Sequence, residues 1–228
     1  MESQRDIAIN LFRQQRYSEA LSVFESLINS TPRDWNLHYL AGQCCRMLDQ
    51  LPQAMRFLEN ASIFNQNEAS IYLGLGIVNQ LLGNFDKSID SLEIAISLDS
   101  TLMQAYNSLG ITYRKSGNPR KAIECYNKAL EVQMELIHQE LHKDKDCVEE
   151  RIEDGKKVLV ILPPFLEKVH AKLKSDPSYS ITTCNIGACF LELDELELAR
   201  KHFMESIELI PDGSNYDDPY RYIEEMDL

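Results

Sequence analysis

Two histidines have the spacing that most suggests metal chemistry. His138 and His142 are four residues apart, so a helix would bring both imidazoles to one face, with Glu135 one turn earlier and Asp146 one turn later. The surrounding stretch also carries two lysines, and a solvated helix face explains this composition more simply. The sequence therefore predicts no metal site.

Six cysteines are the other candidates for reactive groups: Cys44, Cys45, Cys125, Cys147, Cys184 and Cys189. Adjacent Cys44 and Cys45 would point to different faces of a helix, which suits neither a metal site nor a disulfide. Most of the six lie among apolar residues, where a thiol behaves as a small hydrophobic side chain. We interpret them as reduced core thiols.

Motifs for catalysis are missing from the sequence. It contains no glycine-rich phosphate loop, no Gly-x-Ser-x-Gly turn and no cysteine that a motif pairs with a base. We therefore assign no catalytic residue and no cofactor, and predict that the protein is not an enzyme.

Composition and charge limit the classes of partner and the cellular location that we expect for this protein. The 228 residues are 44% hydrophobic and carry 23 basic against 36 acidic residues, a net charge of −13, which disfavours nucleic acid. Residues 137–228 hold 11 of the basic and 21 of the acidic residues. The residues after Met1 are polar and form no apolar signal core, and no apolar run reaches the length of a membrane span. We expect a soluble, intracellular, cytoplasmic protein without membrane insertion.

The sequence repeats itself with a period of 34 residues. Leu75-Gly76 followed by Gly83-Asn84 recurs as Leu109-Gly110 followed by Gly117-Asn118. Four units tile residues 1–34, 35–68, 69–102 and 103–136, and a further unit fits 180–213 after a slip of register. Residues 146–179 fit poorly, and we interpret them as a degenerate unit that is either a helix pair or a kinked helix.

Each unit reads as helix, tight turn, helix. Apolar residues recur at helical spacing, as in Tyr106, Leu109, Gly110 and Tyr113, and the glycine between the halves suits a left-handed helix end. Small residues at matching places allow two helices to approach closely.

The places held by Tyr106, Leu109, Gly110, Tyr113, Ala122, Tyr126 and Ala129 together resemble the consensus of the tetratricopeptide repeat (TPR) family. The resemblance implies an all-α, right-handed superhelical solenoid of about six helix-turn-helix units, the fifth degenerate. It also implies a protein that binds other proteins as a scaffold or adaptor.

Three departures from the family pattern carry predictions. No proline ends the fourth unit, so its second helix should continue to about residue 145 as an elongated helix. Pro163-Pro164 favours a turn before a new helix at Phe165. Residues 214–228 form an acidic tail that is either disordered or a short capping helix starting near Asp218-Pro219.

A second stripe on the first helix of each unit lines the ligand-binding concave groove in the family that the sequence resembles. By that resemblance the partner-binding residues are Tyr39, Gln43, Arg46, Met47, Leu73, Ile77, Gln80, Leu81, Asn107, Ile111, Arg114 and Lys115. The stripe is apolar at its centre and basic at its edges, which suits a peptide or an amphipathic helix with carboxylates. The same apolar residues could instead serve the core of the array.

The sequence is compatible with other functions. The lysine, asparagine and arginine set of the chaperone-tail carboxylate clamp is replaced here by Arg5, Ile9, Leu40, Ser70 and Gly74, which argues against that specificity. The alternatives to an adaptor are a self-assembling module, whether a homodimer or a chain whose own tail fills the groove, and a non-catalytic regulatory subunit of a larger complex.

Overall fold

The computed structural model describes residues 3–153, 156–211 and 213–226, which divide into two compact units. The first unit ends at Ser116 and contains seven helices among its described residues. These are α1 (Gln4–Arg13), α2 (Tyr17–Ser30), α3 (Trp35–Met47), α4 (Leu51–Phe64), α5 (Ala69–Leu81), α6 (Phe85–Leu98) and α7 (Met103–Lys115). The predicted all-α class is therefore confirmed for this unit.

The second unit begins at Gly117, and its described residues form helices and one small sheet. Its elements are α8 (Pro119–Leu141), β1 (Val148–Glu153), β2 (Lys156–Ile161), α9 (Pro164–Ser175), α10 (Pro177–Glu192), α11 (Leu196–Glu208) and α12 (Asp218–Met226).

One turn geometry recurs between the two helices of the repeats. Residues 15, 49, 83 and 117, each 34 after the last, all have positive φ, and Asp194 repeats this in the final hairpin. Gly83 and Gly117 adopt this left-handed conformation without strain, whereas Gln15 (φ 61°) and Asp49 (φ 59°) do so at a cost. The repeat period therefore fixes where the chain reverses direction.

Small residues let the paired helices approach each other. A Cβ added to Gly42 would lie 2.8 Å from the Leu58 side chain, and one added to Gly76 would lie 2.5 Å from that of Leu92. Gly187 takes the same place against Phe203 in the last hairpin. Each glycine accepts a large apolar side chain from the second helix, as the sequence pattern predicted.

The elongated helix is present and ends at Leu141, short of the expected residue 145. Its added turns are covered rather than isolated in solvent. Ile137 and Leu141 are buried with Phe165, Val169 and other residues of α9 and the segment before β1. Burial of this apolar stripe explains why α8 continues past the usual end of a repeat.

The prediction that 146–179 is a degenerate repeat unit, either a helix pair or a kinked helix, is wrong for its first half, which is an antiparallel β-hairpin. Its register runs from Val148 opposite Ile161 to Glu153 opposite Lys156. β2 is rich in β-branched residues, and the sequence places Asp154-Gly155 between the strands, a strong hairpin signal. Ile152 of this stretch lies in β1 with 76% of its surface exposed. The local sequence, and not the 34-residue period, determines the structure of this segment.

The second half of that stretch is helical. α9 begins at Pro164, directly after Pro163, so the proline pair marks a turn and a helix start, which was the preferred prediction. His138 and His142 of α8 pack against Phe165, with ring centroids 5.5 and 5.4 Å away.

The tail forms the capping helix that was one of the two predicted outcomes. α12 packs against α11 and α10, and its Tyr222 ring stacks on Phe203 with centroids 4.8 Å apart. Tyr216, Ile223 and Met226 join the same cluster. Residues 227–228, at the end of the predicted tail, lie outside the described residues.

Candidate partner-binding surface

The predicted binding stripe runs across neighbouring first helices of the first unit. α3 packs beside α5, and α5 beside α7, so residues at the same place in successive repeats become neighbours. Two sets of residues therefore lie at equivalent places on these three adjacent helices. The first set is Tyr39, Leu73 and Asn107, and the second is Arg46, Gln80 and Arg114.

Gln43 joins α3 to α5. It is 8% exposed, and its side-chain nitrogen lies 3.0 Å from where a Cβ on Gly74 would stand. Gln43, which the sequence assigned to the binding stripe, therefore serves the packing of α3 on α5.

Gln80 performs the same task between α5 and α7. Its amide donates hydrogen bonds to the Ser108 carbonyl at 3.0 Å and to the Thr112 hydroxyl at 2.9 Å. Ser88 of α6 extends this buried network, because its hydroxyl donates to the Gly76 carbonyl at 2.8 Å and lies 3.0 Å from the Thr112 oxygen. A satisfied network of this kind fixes the spacing of the helices.

Sequence reasoning missed Ser88 and Thr112. The repeat alignment nevertheless marks both residues as unusual. Ser88 occupies the place held by Ala54 and Ala122 in the flanking repeats, and Thr112 occupies the place held by Val78 in the preceding repeat. A hydroxyl at an otherwise apolar packing place indicates a buried hydrogen bond.

Apolar side chains form the accessible centre of the stripe. Leu73, Ile77 and Ile111 are half-buried, while Met47 is 46% and Leu81 48% exposed. Apolar groups that stay accessible on three adjacent helices give a partner's side chains a surface to bury.

Tyr39 lies at one end of this surface beside polar groups. Burial raises the pKa of its phenol, whereas hydrogen bonds with Ser70 and Gln43 and the charge of Arg46 oppose that shift. The phenol is thus a neutral hydrogen-bonding group at physiological pH.

Arg46 is positioned by its own helix. Its Nε–H donates to Oε1 of Gln43 at 2.9 Å, and no carboxylate of the described residues pairs with it. The bond holds one edge of the guanidinium and leaves the two terminal nitrogens as a fork. A fork of this geometry donates two hydrogen bonds to one carboxylate.

The other predicted basic residues differ in setting. Arg114 is half-buried and has further interactions in the structure, whereas Lys115 is exposed. Lys115 lines a cavity of about 650 Å³ with Ser116 and the Gly83–Lys87 segment. It therefore lies beside the turn of the preceding hairpin, at the edge of the stripe.

In the ranges that the structure describes, no three His, Cys, Asp or Glu side chains group as metal ligands would. The described helices also include none with the length and apolarity needed to cross a membrane.

Family comparison identifies the repeats. Three models described as tetratricopeptide repeat match residues 11–75, 67–135 and 183–212, together more than half of the chain. The chain belongs to the tetratricopeptide repeat family. The TPR models leave out the β-hairpin and α9, where the repeat pattern is interrupted.

Curated TPR relatives are longer proteins. Human tetratricopeptide repeat protein 7B is 26% identical over 116 residues, which is 51% of this chain and 14% of that protein. Mouse mitochondrial import receptor subunit TOM70 is 27% identical over 151 residues, and bovine BBSome complex member BBS4 is 26% identical over 126. The matches cover 24% of each of the last two. The chain thus spans less than a third of these relatives.

Solved TPR structures share the fold over nearly the whole chain. The Thermus thermophilus protein TTC0263 aligns with a TM-score of 0.64 at 14% identity, covering 99% of this chain and 98% of that one. MamA of Desulfovibrio magneticus RS-1 aligns with a TM-score of 0.66 at 17% identity, covering 90% and 92%. Identities this low establish the fold alone.

Proposed function

We propose that the protein is a non-enzymatic TPR adaptor that binds a segment of another protein on the surface of α3, α5 and α7. The observation that carries this proposal is Arg46, oriented by Gln43 and without a carboxylate partner among the described residues, next to the accessible apolar stripe. The named functions of two relatives, a complex member and an import receptor subunit, are consistent with partner binding.

The surface favours a ligand with two kinds of group. Apolar side chains of a helix or extended peptide would pack on Leu73, Ile77 and Ile111, with Met47 and Leu81 at the margin. An Asp, Glu or terminal carboxylate of the ligand would meet the terminal nitrogens of Arg46. Asn107, Arg114 and Lys115 would contact the far end of a longer ligand.

The experiment compares proteins captured from the source cell by the intact chain and by two matched variants. Ile77→Glu together with Leu81→Glu places charges on the proposed surface, whereas Ile94→Glu places one on an isoleucine of α6 that is 42% exposed. Circular dichroism checks that every variant keeps its helices. We expect the double variant to lose partners that the intact chain and Ile94→Glu both retain.

Peptide arrays of each captured partner then define the ligand. Binding peptides should combine an apolar residue with a nearby carboxylate, and replacing that carboxylate by its amide should weaken binding to the intact chain. Equal capture by the double variant and the intact chain would place the binding surface elsewhere.

A further inference from the structure

The β-hairpin is a small sheet within a helical repeat protein. Cys147 and Val148 anchor its base in the apolar cluster of α8 and α9, and the Leu162 N–H donates to the Cys147 carbonyl at 2.8 Å. A sheet of two strands is marginally stable in water by itself, whereas three or more strands with an apolar face hold together. The hairpin therefore has strand edges on which another strand would add stability.

The pairing register fixes which backbone groups face outwards. The bond between Leu162 and Cys147 makes these two opposed residues a hydrogen-bonded pair, and such pairs alternate along an antiparallel ladder. Val158 and Val160 consequently point their N–H and C=O groups towards β1. Lys157, Leu159 and Ile161 point theirs to the outer edge of β2.

That outer edge is open in the described structure. No backbone hydrogen bond from another described segment reaches Lys157, Leu159 or Ile161. The side chains of the same three residues are accessible, since Leu159 is 59% and Ile161 55% exposed and the Lys157 side chain is 77% exposed. Two of the usual protections of an edge strand, proline and bulges, do not occur among residues 157–161, and Lys157 is the one charged residue on the outer edge.

The opposite edge of the hairpin is less suitable. The Val148 N–H on the outer edge of β1 already donates to the Asp144 carbonyl at 3.1 Å. Pairing of β1 with a second β1 around Glu150 would also place two Glu150 carboxylates opposite each other, which is unfavourable. Hydrogen bonding and charge therefore both favour the outer edge of β2 over that of β1 as the place where another strand would pair.

We propose that β2 pairs antiparallel with β2 of a second copy of this chain, around a two-fold axis at Leu159. This arrangement places each Lys157 opposite Ile161 of the second copy, so no like charges face each other. Each Lys157 ammonium keeps its ion pair with Glu150 of its own chain at 3.0 Å. The result is a four-stranded sheet in a closed dimer.

The hairpin carries little net charge, so charge opposes the meeting of two copies at this place only weakly. Residues 137–228 carry 11 basic and 21 acidic residues, whereas the hairpin sequence 148–161 carries three basic and four acidic ones. The hairpin is therefore a nearly neutral, apolar contact in an acidic region. Six-residue strands give a small interface, so the dimer should be weak.

Sedimentation velocity of the full chain over a wide concentration range tests this pairing. Leu159→Pro removes an N–H that the internal ladder does not use and blocks the outer edge of β2. The matched control, Ile152→Pro, removes an outward N–H from β1 instead. We expect the intact chain and Ile152→Pro to dimerise with rising concentration and Leu159→Pro to stay monomeric with unchanged helical circular dichroism.

Hydrogen exchange provides a second readout. Dimerisation should slow exchange at the amides of Lys157, Leu159 and Ile161 by about tenfold or more, while Val158 and Val160 are protected in the monomer as well. A chain that stays monomeric at every concentration, or a dimer that Leu159→Pro leaves intact, overturns the proposal. A partner's strand that protects these amides while the chain alone stays monomeric overturns it in favour of a different occupant.

Discussion

The Nε–H of Arg46 donates a hydrogen bond to Oε1 of Gln43 at 2.9 Å. Gln43 is itself buried against Gly74 of the next first helix, so its orientation is set by the packing of α3 on α5. Helix packing thereby determines where the Arg46 fork points. Preorganisation of this kind lowers the entropic cost of capturing a ligand carboxylate.

Removing the fork or its support should weaken binding to different extents. We expect Arg46→Gln to lower the affinity for a captured acidic peptide about 5- to 30-fold, as loss of a charged contact at an interface does. Gln43→Met should lower it about 2- to 5-fold, because the charge stays but loses its orientation. Titration by fluorescence anisotropy at low and high salt measures both, and Arg46→Gln should also flatten the salt dependence. Equal affinities for the intact chain and Arg46→Gln would remove Arg46 from the site.

Close approach of α5 and α6 should depend on Gly76. A Cβ there would lie 2.5 Å from Leu92 Cγ, so we expect Gly76→Ala to lower the free energy of unfolding by about 1–3 kcal/mol. Leu92→Ala leaves a cavity that the new methyl group can partly fill, so the double variant should be more stable than the sum of the single effects implies. Urea denaturation of all four proteins gives the coupling, and strict additivity would show that the two sites do not meet.

The capping helix should be held mainly by Tyr222. Its ring stacks on Phe203, whereas Tyr220 of the same helix is 49% exposed. Tyr222→Ala should therefore destabilise the second unit by about 1–3 kcal/mol, and Tyr220→Ala by less than about 0.5 kcal/mol. Hydrogen exchange of α10 and α11 amides reports this loss directly. Similar effects of the two substitutions would mean that the stacked ring does not anchor α12.

Buried thiols should make the protein sensitive to alkaline pH. Burial raises the pKa of Cys44 to about 12 and that of Cys45 to about 11, from an ordinary value of 9.0. Between pH 9 and the raised pKa values, these thiols are ionised in the unfolded chain and protonated in the native protein. Their contribution to stability is therefore fully present below about pH 9 and is lost as the pH rises towards about 12. The slope is at most about 1.4 kcal/mol per pH unit for each thiol.

Thermal unfolding is compared for the intact chain and the Cys44→Ala/Cys45→Ala variant at pH values from about 8 to about 11. Lysine and tyrosine residues ionise in both proteins, so the difference between them isolates the contribution of the thiols. The double variant starts from a lower stability because it loses buried volume, so the comparison uses the slope with pH. The intact chain should show the steeper decline. Parallel slopes would contradict the assignment of these thiols as buried and protonated.

The repeat itself was predictable because its determinants are local and periodic. Gly83 and Gly117 lie at turns with positive φ, and Gly76 faces Leu92, as turn chemistry and helical spacing indicated. The elongated α8 followed in the same way from the missing proline. The β-hairpin was missed because the 34-residue frame was carried across Asp154-Gly155, although that dipeptide and the β-branched run after it favoured strands.

The arrangement of the proposed binding stripe on neighbouring first helices was predictable, whereas the burial of its individual residues was not. Periodicity placed Tyr39, Leu73 and Asn107 on one stripe, but it could not show that Gln43 and Gln80 are each only 8% exposed. Their burial depends on what the adjacent helix presents, namely Gly74 for Gln43 and the Ser108 carbonyl for Gln80. Contacts of this kind arise from three-dimensional packing between repeats.

Site-specific photo-crosslinking tests the central claim most directly. Benzoylphenylalanine replaces Leu81, which is 48% exposed on α5, or as the control Ile94, which is 42% exposed on α6. With a captured partner present, we predict a crosslinked product from position 81 that maps to one acidic and apolar segment of the partner, and none from position 94. Crosslinking from position 94 without any from position 81 would contradict binding on the first helices.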